Sequence, residues 1–173
     1  MTFYKHIDSD MLEIGNGNLS PAESRTHMAF WAVMKSPILI GTPMDKLSKE
    51  NIEILKNKYL LAFNQDDQYG APAKPYKWGT NPNWTFNTSY PAEYWSGRYK
   101  NGTLVLTFNP ASTAKTKTIL TSEVPELQGN HTYRLYDAWT GGDLGCAYKS
   151  FNVSVQPRDT RVTLFKEESC VPK

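Results

Sequence analysis

Apolar residues in the first third of the chain recur at helical spacing in two segments. Within residues 20–35, Met28, Trp31 and Met34 are spaced three residues apart, which gives one apolar helix face. Residues 48–56 form a second segment with a smaller apolar face. Each segment begins with serine, a preferred N-cap residue. The pattern predicts two helices that pack against a larger structure.

The start of the first helix is specified by three residues. Ser20 is the predicted N-cap, Pro21 occupies the first helical position, and Glu23 completes a capping box. Between the helices, residues 38–40 read Ile-Leu-Ile, a continuous apolar run typical of a parallel strand buried on both faces. Strand and helix therefore alternate in residues 1–66, which indicates an α/β part.

After residue 66 the pattern changes to short strands separated by glycine, proline and asparagine. The predicted strands are residues 92–98, 104–108, 117–120, 133–137, 151–155 and 161–165. Asn101-Gly102 marks a hairpin, and the alternation of Val153 and Val155 with polar residues indicates a sheet with one solvated face. Residues 67–173 are therefore predicted to form an antiparallel β domain. The α/β part has too few strands to cover its own apolar surfaces, so we expect it to be incomplete.

Charge and hydropathy exclude several classes of partner. Nineteen basic and seventeen acidic residues leave a formal charge of +2 without a basic stripe, which argues against nucleic acid or an anionic membrane as a partner. The longest apolar runs fall far short of the roughly 20 residues that span a bilayer. The sequence therefore predicts a chain with no nucleic-acid partner and no membrane partner.

Two features indicate the secretory pathway. Asn-x-Ser/Thr acceptor sequences for N-glycosylation occur at Asn18, Asn83, Asn87, Asn101, Asn130 and Asn152. The two cysteines, Cys146 and Cys170, can form a disulfide, which in an oxidising compartment contributes roughly 3 to 4 kcal/mol. We therefore expect a secreted, extracellular protein. The residues after Met1 lack the apolar segment of a signal peptide, so we also expect this chain to be the later part of a longer protein.

The densest cluster of candidate functional residues lies at residues 6–17, His-Ile-Asp-Ser-Asp-Met-Leu-Glu-Ile-Gly-Asn-Gly. Two carboxylates, Asp8 and Asp10, stand two residues apart and precede a glycine-rich loop and a capped helix. Functional residues of barrel enzymes lie in such positions, at the carboxyl ends of strands. His6 alternates with both carboxylates, but we expect no metal site formed by these three residues. A calcium-binding loop that starts at Asp8 is also excluded, because Leu19 stands where such a loop needs its glutamate.

This cluster resembles the closing part of fungal α-galactosidases of glycoside hydrolase family 27. The resemblance continues through Arg25-Thr26-His27, Lys35-Ser36-Pro37 and Ala62-Phe63-Asn64-Gln65-Asp66, and into the β domain at Glu93-Tyr94-Trp95-Ser96-Gly97 and Asp137-Ala138-Trp139-Thr140-Gly141. It implies the last two βα units of a (β/α)8 TIM barrel followed by a C-terminal antiparallel β-sandwich. It also implies hydrolysis of terminal α-galactosides with retention and without a cofactor.

The resemblance assigns roles to individual residues. Asp10 contacts galactose hydroxyls, Met11 lies beside it at the pocket floor, and Asp8 supports the loop. His6 and Ile7 depart from the usual family pattern. Retaining enzymes use a nucleophile and an acid/base about 5 to 5.5 Å apart. Both precede this motif in the family, so the chain is expected to need the missing N-terminal barrel portion and to be inactive alone.

Less specific residues receive structural interpretations. The tryptophans are expected to pack in the core rather than to stack on sugars, and His27 is expected to be structural. The tryptophans are Trp31, Trp78, Trp84, Trp95 and Trp139. An alternative function remains, in which the chain acts by itself as a carbohydrate-binding or structural β module without catalysis.

Overall fold

A computed structural model describes residues 9–171, which form three helices and eight strands. The helices are α1 (Pro21–Val33), α2 (Lys49–Leu55) and α3 (Lys58–Asn64), with a short 3₁₀ turn at Met44–Lys46. The strands are β1 (Lys74–Lys77), β2 (Tyr94–Tyr99), β3 (Gly102–Phe108), β4 (Lys115–Leu120), β5 (Tyr133–Asp137), β6 (Asp143–Ala147), β7 (Ser150–Val155) and β8 (Thr160–Lys166). None of the helices in this described range is long and apolar enough to cross a membrane.

The first helix begins where the sequence predicts. The Ser20 hydroxyl accepts the Glu23 N–H at 3.3 Å, and the Glu23 carboxylate accepts the Ser20 N–H at 3.0 Å, which completes the capping box. The second predicted helix is confirmed as α2, capped by Ser48. The sequence interpretation missed α3, whose N-cap is Asn57; its side chain accepts the N–H groups of the first turn.

The prediction that residues 38–40 form a strand buried on both faces is wrong. Ile40 forms a single parallel bridge with Leu12, and the side chains of Leu39 and Ile40 are 51% and 38% exposed. The Leu12 N–H donates to the Leu39 carbonyl at 2.6 Å, and the Gly41 N–H donates to the Leu12 carbonyl at 2.9 Å. In residues 9–171 this is the one pairing recorded for the segment, so its outer side stays open to solvent.

The second part contains antiparallel sheets, as predicted. Six strands pair in the order β1-β2-β3-β8-β5-β6, and β4 pairs with β7 in a separate two-stranded sheet. The six predicted strands correspond to β2, β3, β4, β5, β7 and β8. The two missed strands, β1 and β6, are the outermost strands of the larger sheet. They contain Pro75 and Gly145, residues that weaken a strand signal but are tolerated at an edge.

The larger sheet is apolar on both faces. In β3, Leu104 and Leu106 pack against the helices, whereas Val105 between them packs against the β4-β7 side. Strand β8 repeats this alternation, with Leu164 toward the helices and Phe165 on the opposite side. The helices and the sheet therefore share one hydrophobic core, and a second core lies between the two sheets.

Polar contacts also join the helices to the sheet side. The Arg25 guanidinium donates two hydrogen bonds to the Asp159 carboxylate, Nε at 3.1 Å and Nη2 at 2.7 Å. This pairing raises the pKa of Arg25. The Asn57 side-chain amide donates to the Ala138 carbonyl at 2.8 Å. The pair of Arg25 and Asp159 is bidentate and its carboxylate is buried, which makes its geometry specific. It therefore fixes α1 relative to the β8 end of the sheet.

The structure confirms two further predictions, a hairpin and a disulfide. The hairpin signal at Asn101-Gly102 is confirmed between β2 and β3, where Gly102 pairs with Tyr99. Gly102 has a φ of +126°, and a Cβ there would lie 2.4 Å from the Phe165 carbonyl oxygen, so glycine is required. The Cys146–Cys170 disulfide is also confirmed; it fastens the C-terminal segment to β6 across 24 residues.

Candidate functional site

The Asp10-Met11 pair lies on a loop that leads into α1. Asp10 adopts a φ of +69°, a left-handed conformation that aspartate tolerates better than most residues. Its Oδ1 accepts the Met11 N–H at 2.9 Å. Leu12 and Ile14 are buried in the core, whereas Met11 is 49% exposed and Asp10 is exposed. The alternation therefore anchors the loop on one side and presents Asp10 and Met11 to solvent on the other.

Two aromatic side chains of α1 hold this loop from beneath. The Trp31 indole N–H donates to the Asp10 carbonyl at 3.3 Å, and the Glu13 N–H donates to His27 Nε2 at 3.0 Å. The rings of His27 and Trp31 are four residues apart on the helix, with centroids 4.1 Å apart. His27 has the structural role expected of it, because it satisfies a backbone group of the loop.

The segment after α1 fastens the loop on its other side. The hydroxyls of Ser9 and Ser36 are hydrogen-bonded at 2.7 Å, and the Thr42 hydroxyl donates to the Ile14 carbonyl at 2.8 Å. Together with the bridge between Leu12 and residue 40, these contacts fix the backbone at both ends. The backbone position of Asp10 is therefore set by tertiary contacts of the surrounding loop.

A buried lysine just after α1 contacts the end of α3, and the sequence interpretation assigned it no role. Lys35 has a φ of +56°, and its Nζ donates to the carbonyls of Phe63 and Asp66 at 2.7 Å each. Burial lowers its pKa, while the Asp66 and Asp67 charges oppose that shift. The ammonium satisfies carbonyls at the end of α3 that would otherwise lack partners. The run Lys35-Ser36-Pro37 was the available sequence signal for this site.

The hydrogen bond from the Glu13 N–H to His27 makes the stability of the fold depend on pH. His27 can accept at Nε2 only while that nitrogen is unprotonated, and burial lowers its pKa, with a smaller opposing effect from the Glu13 carboxylate. Because the pKa in the folded protein is depressed, the contact stabilises the fold above the ordinary histidine pKa. This stabilisation is lost as the pH falls through the pKa of His27 in the folded protein.

We therefore expect the unfolding free energy to fall by about 1 kcal/mol more in the native chain than in His27→Gln between pH 7 and pH 5. Urea unfolding at each pH measures this difference, and NMR titration of the His27 ring assigns it. Parallel pH profiles for the two proteins would contradict the role given to this hydrogen bond.

Several sequence predictions meet different outcomes. Asp8 and His6 lie outside the described residues, so the absence of a metal site formed by them and Asp10 stays a prediction. Within residues 9–171 no three metal-ligating side chains form a group.

The asparagines of all six acceptor sequences are exposed. Four of the five tryptophans are wholly or partly buried, but the prediction for Trp84 is wrong, because it is 75% exposed on a loop.

Known families match both parts of the chain. Residues 4–66 match the family described as Alpha galactosidase A, and residues 89–165 match the Alpha galactosidase C-terminal beta sandwich domain. A probable alpha-galactosidase B of Penicillium simplicissimum is 52% identical over 167 residues, which covers 95% of this chain and 38% of the relative. The chain belongs to the α-galactosidase family. The corresponding protein of Aspergillus oryzae is 50% identical, covering 97% of the chain and 39% of that relative.

Solved members of the α-galactosidase family share this fold. Alpha-galactosidase I from Mortierella vinacea superimposes with a TM-score of 0.79 at 24% identity, covering 95% of this chain and 40% of that one. A Saccharomyces cerevisiae α-galactosidase described with raffinose gives a TM-score of 0.78 at 20% identity, over 93% and 47% of the two chains. The chain thus corresponds to the C-terminal portion of these enzymes and spans about two fifths of the length of its curated relatives.

Proposed function

We propose that this chain is the substrate-contacting C-terminal portion of a secreted α-galactosidase that removes terminal non-reducing α-D-galactosyl residues with retention. The observation that carries the proposal is the exposed Asp10-Met11 loop, fixed by α1 in a chain about half identical to probable fungal α-galactosidases. The Saccharomyces cerevisiae relative described with raffinose supports the substrate class, since raffinose ends in an α-galactosyl unit.

Asp10 is the proposed sugar ligand. An ionised carboxylate is an acceptor only, so its two oxygens can take hydrogen bonds from neighbouring hydroxyls of one sugar ring. Met11 supplies an exposed apolar surface beside it. Asp8 is proposed to support the loop. The nucleophile and the acid/base are proposed to belong to the N-terminal portion of the complete enzyme, and the reaction needs no cofactor.

Residues 1–66 are proposed to be the last two βα units of a (β/α)8 barrel, and residues 67–173 the β-sandwich. The parallel bridge between Leu12 and Ile40, with α1 between the two segments, supports the first assignment. The exposed apolar side chains of Leu39, Ile40 and Met44 are consistent with further barrel strands and helices covering them.

The complete reaction is proposed to require both portions. We expect the purified chain to show no turnover of an aryl α-galactoside, and a chimera with the N-terminal portion of the Penicillium simplicissimum relative to be active. Release of the aryl alcohol measures both proteins under the same conditions. Turnover by the chain alone would contradict the proposal, and so would an inactive chimera that is folded by circular dichroism.

A stand-alone carbohydrate-binding module is the second candidate, because exposed aromatic side chains such as Trp84 occur on the β-sandwich side. Two charge-assisted hydrogen bonds from Asp10 contribute at most roughly 3 to 6 kcal/mol, whereas association costs about 4 to 15 kcal/mol. The isolated chain is therefore expected to bind galactose barely, if Asp10 is its main ligand. Calorimetric titration to millimolar galactose separates the candidates, since saturable heat favours the module.

A further inference from the structure

The loop between β1 and β2 presents aromatic side chains to solvent. Trp84 and Phe86 are 75% and 92% exposed, and Trp78 lies buried beside Trp84 with ring centroids 4.7 Å apart. Trp84 also has a φ of +65°, a conformation that a bulky residue adopts only where its surroundings impose it. A strained, exposed tryptophan next to an exposed phenylalanine indicates a surface that another group covers.

The backbone of the loop that carries these rings is held by hydrogen bonds. The Trp78 N–H donates to Asn83 Oδ1 at 3.0 Å, and the Asn81 side-chain amide donates to the Thr85 carbonyl at 2.7 Å. The Thr80 N–H donates to Glu93 Oε1 at 3.0 Å, which ties the loop to the start of β2. The backbone from which the aromatic side chains project is therefore fixed before anything covers them.

One glycosylation acceptor lies in the same groove. Asn87 lines a mostly apolar groove of about 340 Å³ together with Trp78, Trp84, Phe86 and Trp95. Its Oδ1 accepts the N–H groups of Ser89 at 2.9 Å and Tyr90 at 3.2 Å. Because the oxygen of the amide makes these bonds, Nδ2 can be substituted without breaking them.

We propose that Asn87 carries an N-linked glycan whose first N-acetylglucosamine covers Trp84 and Phe86. In the modification, Nδ2 of Asn87 attacks C1 of the reducing-end sugar of a lipid pyrophosphate-linked oligosaccharide. The C1–N bond forms, the C1–O bond to pyrophosphate breaks, Nδ2 loses one proton, and the lipid pyrophosphate leaves. This inference rests on the proposed secretory route, where such donors are found.

A tethered sugar fits the groove better than a diffusing one. Trp84, Phe86 and Asn87 line the same groove, so a sugar on Nδ2 begins in the groove that both rings line. The covalent link removes most of the association cost that a free sugar pays and gives a high effective concentration. The C–H face of a pyranose can then lie against the rings and remove apolar surface from water.

The test uses the full chain, secreted from a yeast behind a leader peptide. Peptide mass mapping is expected to find Asn87 occupied. Ser89→Ala removes the acceptor sequence but leaves the Asn87 side chain and both backbone donors in place, and it is expected to lower Tm by about 2–4 °C. Ser89→Thr retains the acceptor sequence and is expected to keep the Tm. Thr132→Ala, the matched control that removes the glycan at Asn130, is expected to change Tm by less than about 1 °C.

Two further measurements identify the covering sugar. Trimming the glycans enzymatically to a single N-acetylglucosamine is expected to leave Tm unchanged. Ser89→Ala is expected to lose its effect in a Trp84→Ala or Phe86→Ala background, because the rings are then no longer there to be covered. Phe86 is almost fully exposed, so its variant keeps the test valid if Trp84→Ala fails to fold.

The failures are distinguishable from one another. An unmodified Asn87 in a chain with other occupied sites overturns this inference and leaves the secretory route standing. No occupied site at all overturns both proposals. Equal Tm losses from Ser89→Ala with and without Trp84 overturn the contact between sugar and ring. Saturable quenching of tryptophan fluorescence by a galactose-containing oligosaccharide in the glycosylated chain would show an open groove and would also overturn it.

Discussion

Asp10→Asn in the complete enzyme is expected to lower kcat/KM for an aryl α-galactoside by about 10²- to 10³-fold, which corresponds to about 3 to 4 kcal/mol. The substitution replaces an acceptor-only carboxylate by a neutral amide and so removes one of two charge-assisted hydrogen bonds to the sugar. Asparagine tolerates the left-handed backbone at this position, φ +69°, so the loss reports on the carboxylate rather than on the loop.

Glu13→Gln is the matched control for this experiment. Glu13 is also an exposed carboxylate on the same loop, but its side chain accepts from the Asn16 amide at 2.6 Å. We expect its kcat/KM to stay within a few-fold of the parent enzyme. The measurement is made on the chimera with the relative's N-terminal portion. Equal effects of the two substitutions would argue against a direct contact between Asp10 and the sugar.

Glu93→Gln is expected to lower the free energy of unfolding by about 3–5 kcal/mol, the usual cost of breaking a buried ion pair. Glu93 and Lys117 form an ion pair in which both residues are buried. Burial already lowers the pKa of Lys117, so removal of the counter-charge leaves an ammonium with an uncompensated desolvation penalty. Glutamine keeps an oxygen for the Thr80 N–H, so the loss is specific to the charge.

The chain contains a matched surface pair for comparison. Lys77 Nζ lies 2.8 Å from Glu123 Oε2, but both of these side chains are about one third exposed. Glu123→Gln is expected to cost less than about 1 kcal/mol. Combining Glu93→Gln with Lys117→Met is expected to recover most of the loss, since it removes the unpaired charge. Urea unfolding measures each variant, and a similar small cost for both glutamate substitutions would show that burial does not strengthen the inner pair.

Local sequence signals were enough to predict most of the elements. The caps of α1 and the alternation in β7 are contained within a few neighbouring residues, and both are confirmed. Strand β1 was missed because Pro75 is a strand breaker by composition, and its position at the edge of a sheet depends on tertiary pairing. Residues 38–40 were misjudged because apolar composition does not say whether neighbouring strands are present to cover a segment.

In the candidate site, too, the sequence predicts some features, whereas others depend on tertiary contacts. The role of Asp10 could be proposed only because residues 6–17 resemble the α-galactosidase motif; the spacing of the two carboxylates alone does not assign it. His27 and Trp31 could be assigned to an apolar helix face, but their hydrogen bonds to residues 13 and 10 appear only when α1 folds back on the loop. The partner of Glu93 is 24 residues away, so no local pattern predicts that ion pair.

The two-sided packing of the larger sheet has a consequence for recombination among related genes. Leu104 and Leu106 pack against the helices and Val105 against the opposite sheet, so side chains on either side of residue 66 share one hydrophobic core. A crossover at the boundary between residues 66 and 67 would pair a helix layer and a sheet with separate histories of substitution. A crossover before the Asp10 loop keeps the helices and the sheet of one parent together. We therefore expect crossover points among related genes to fall there.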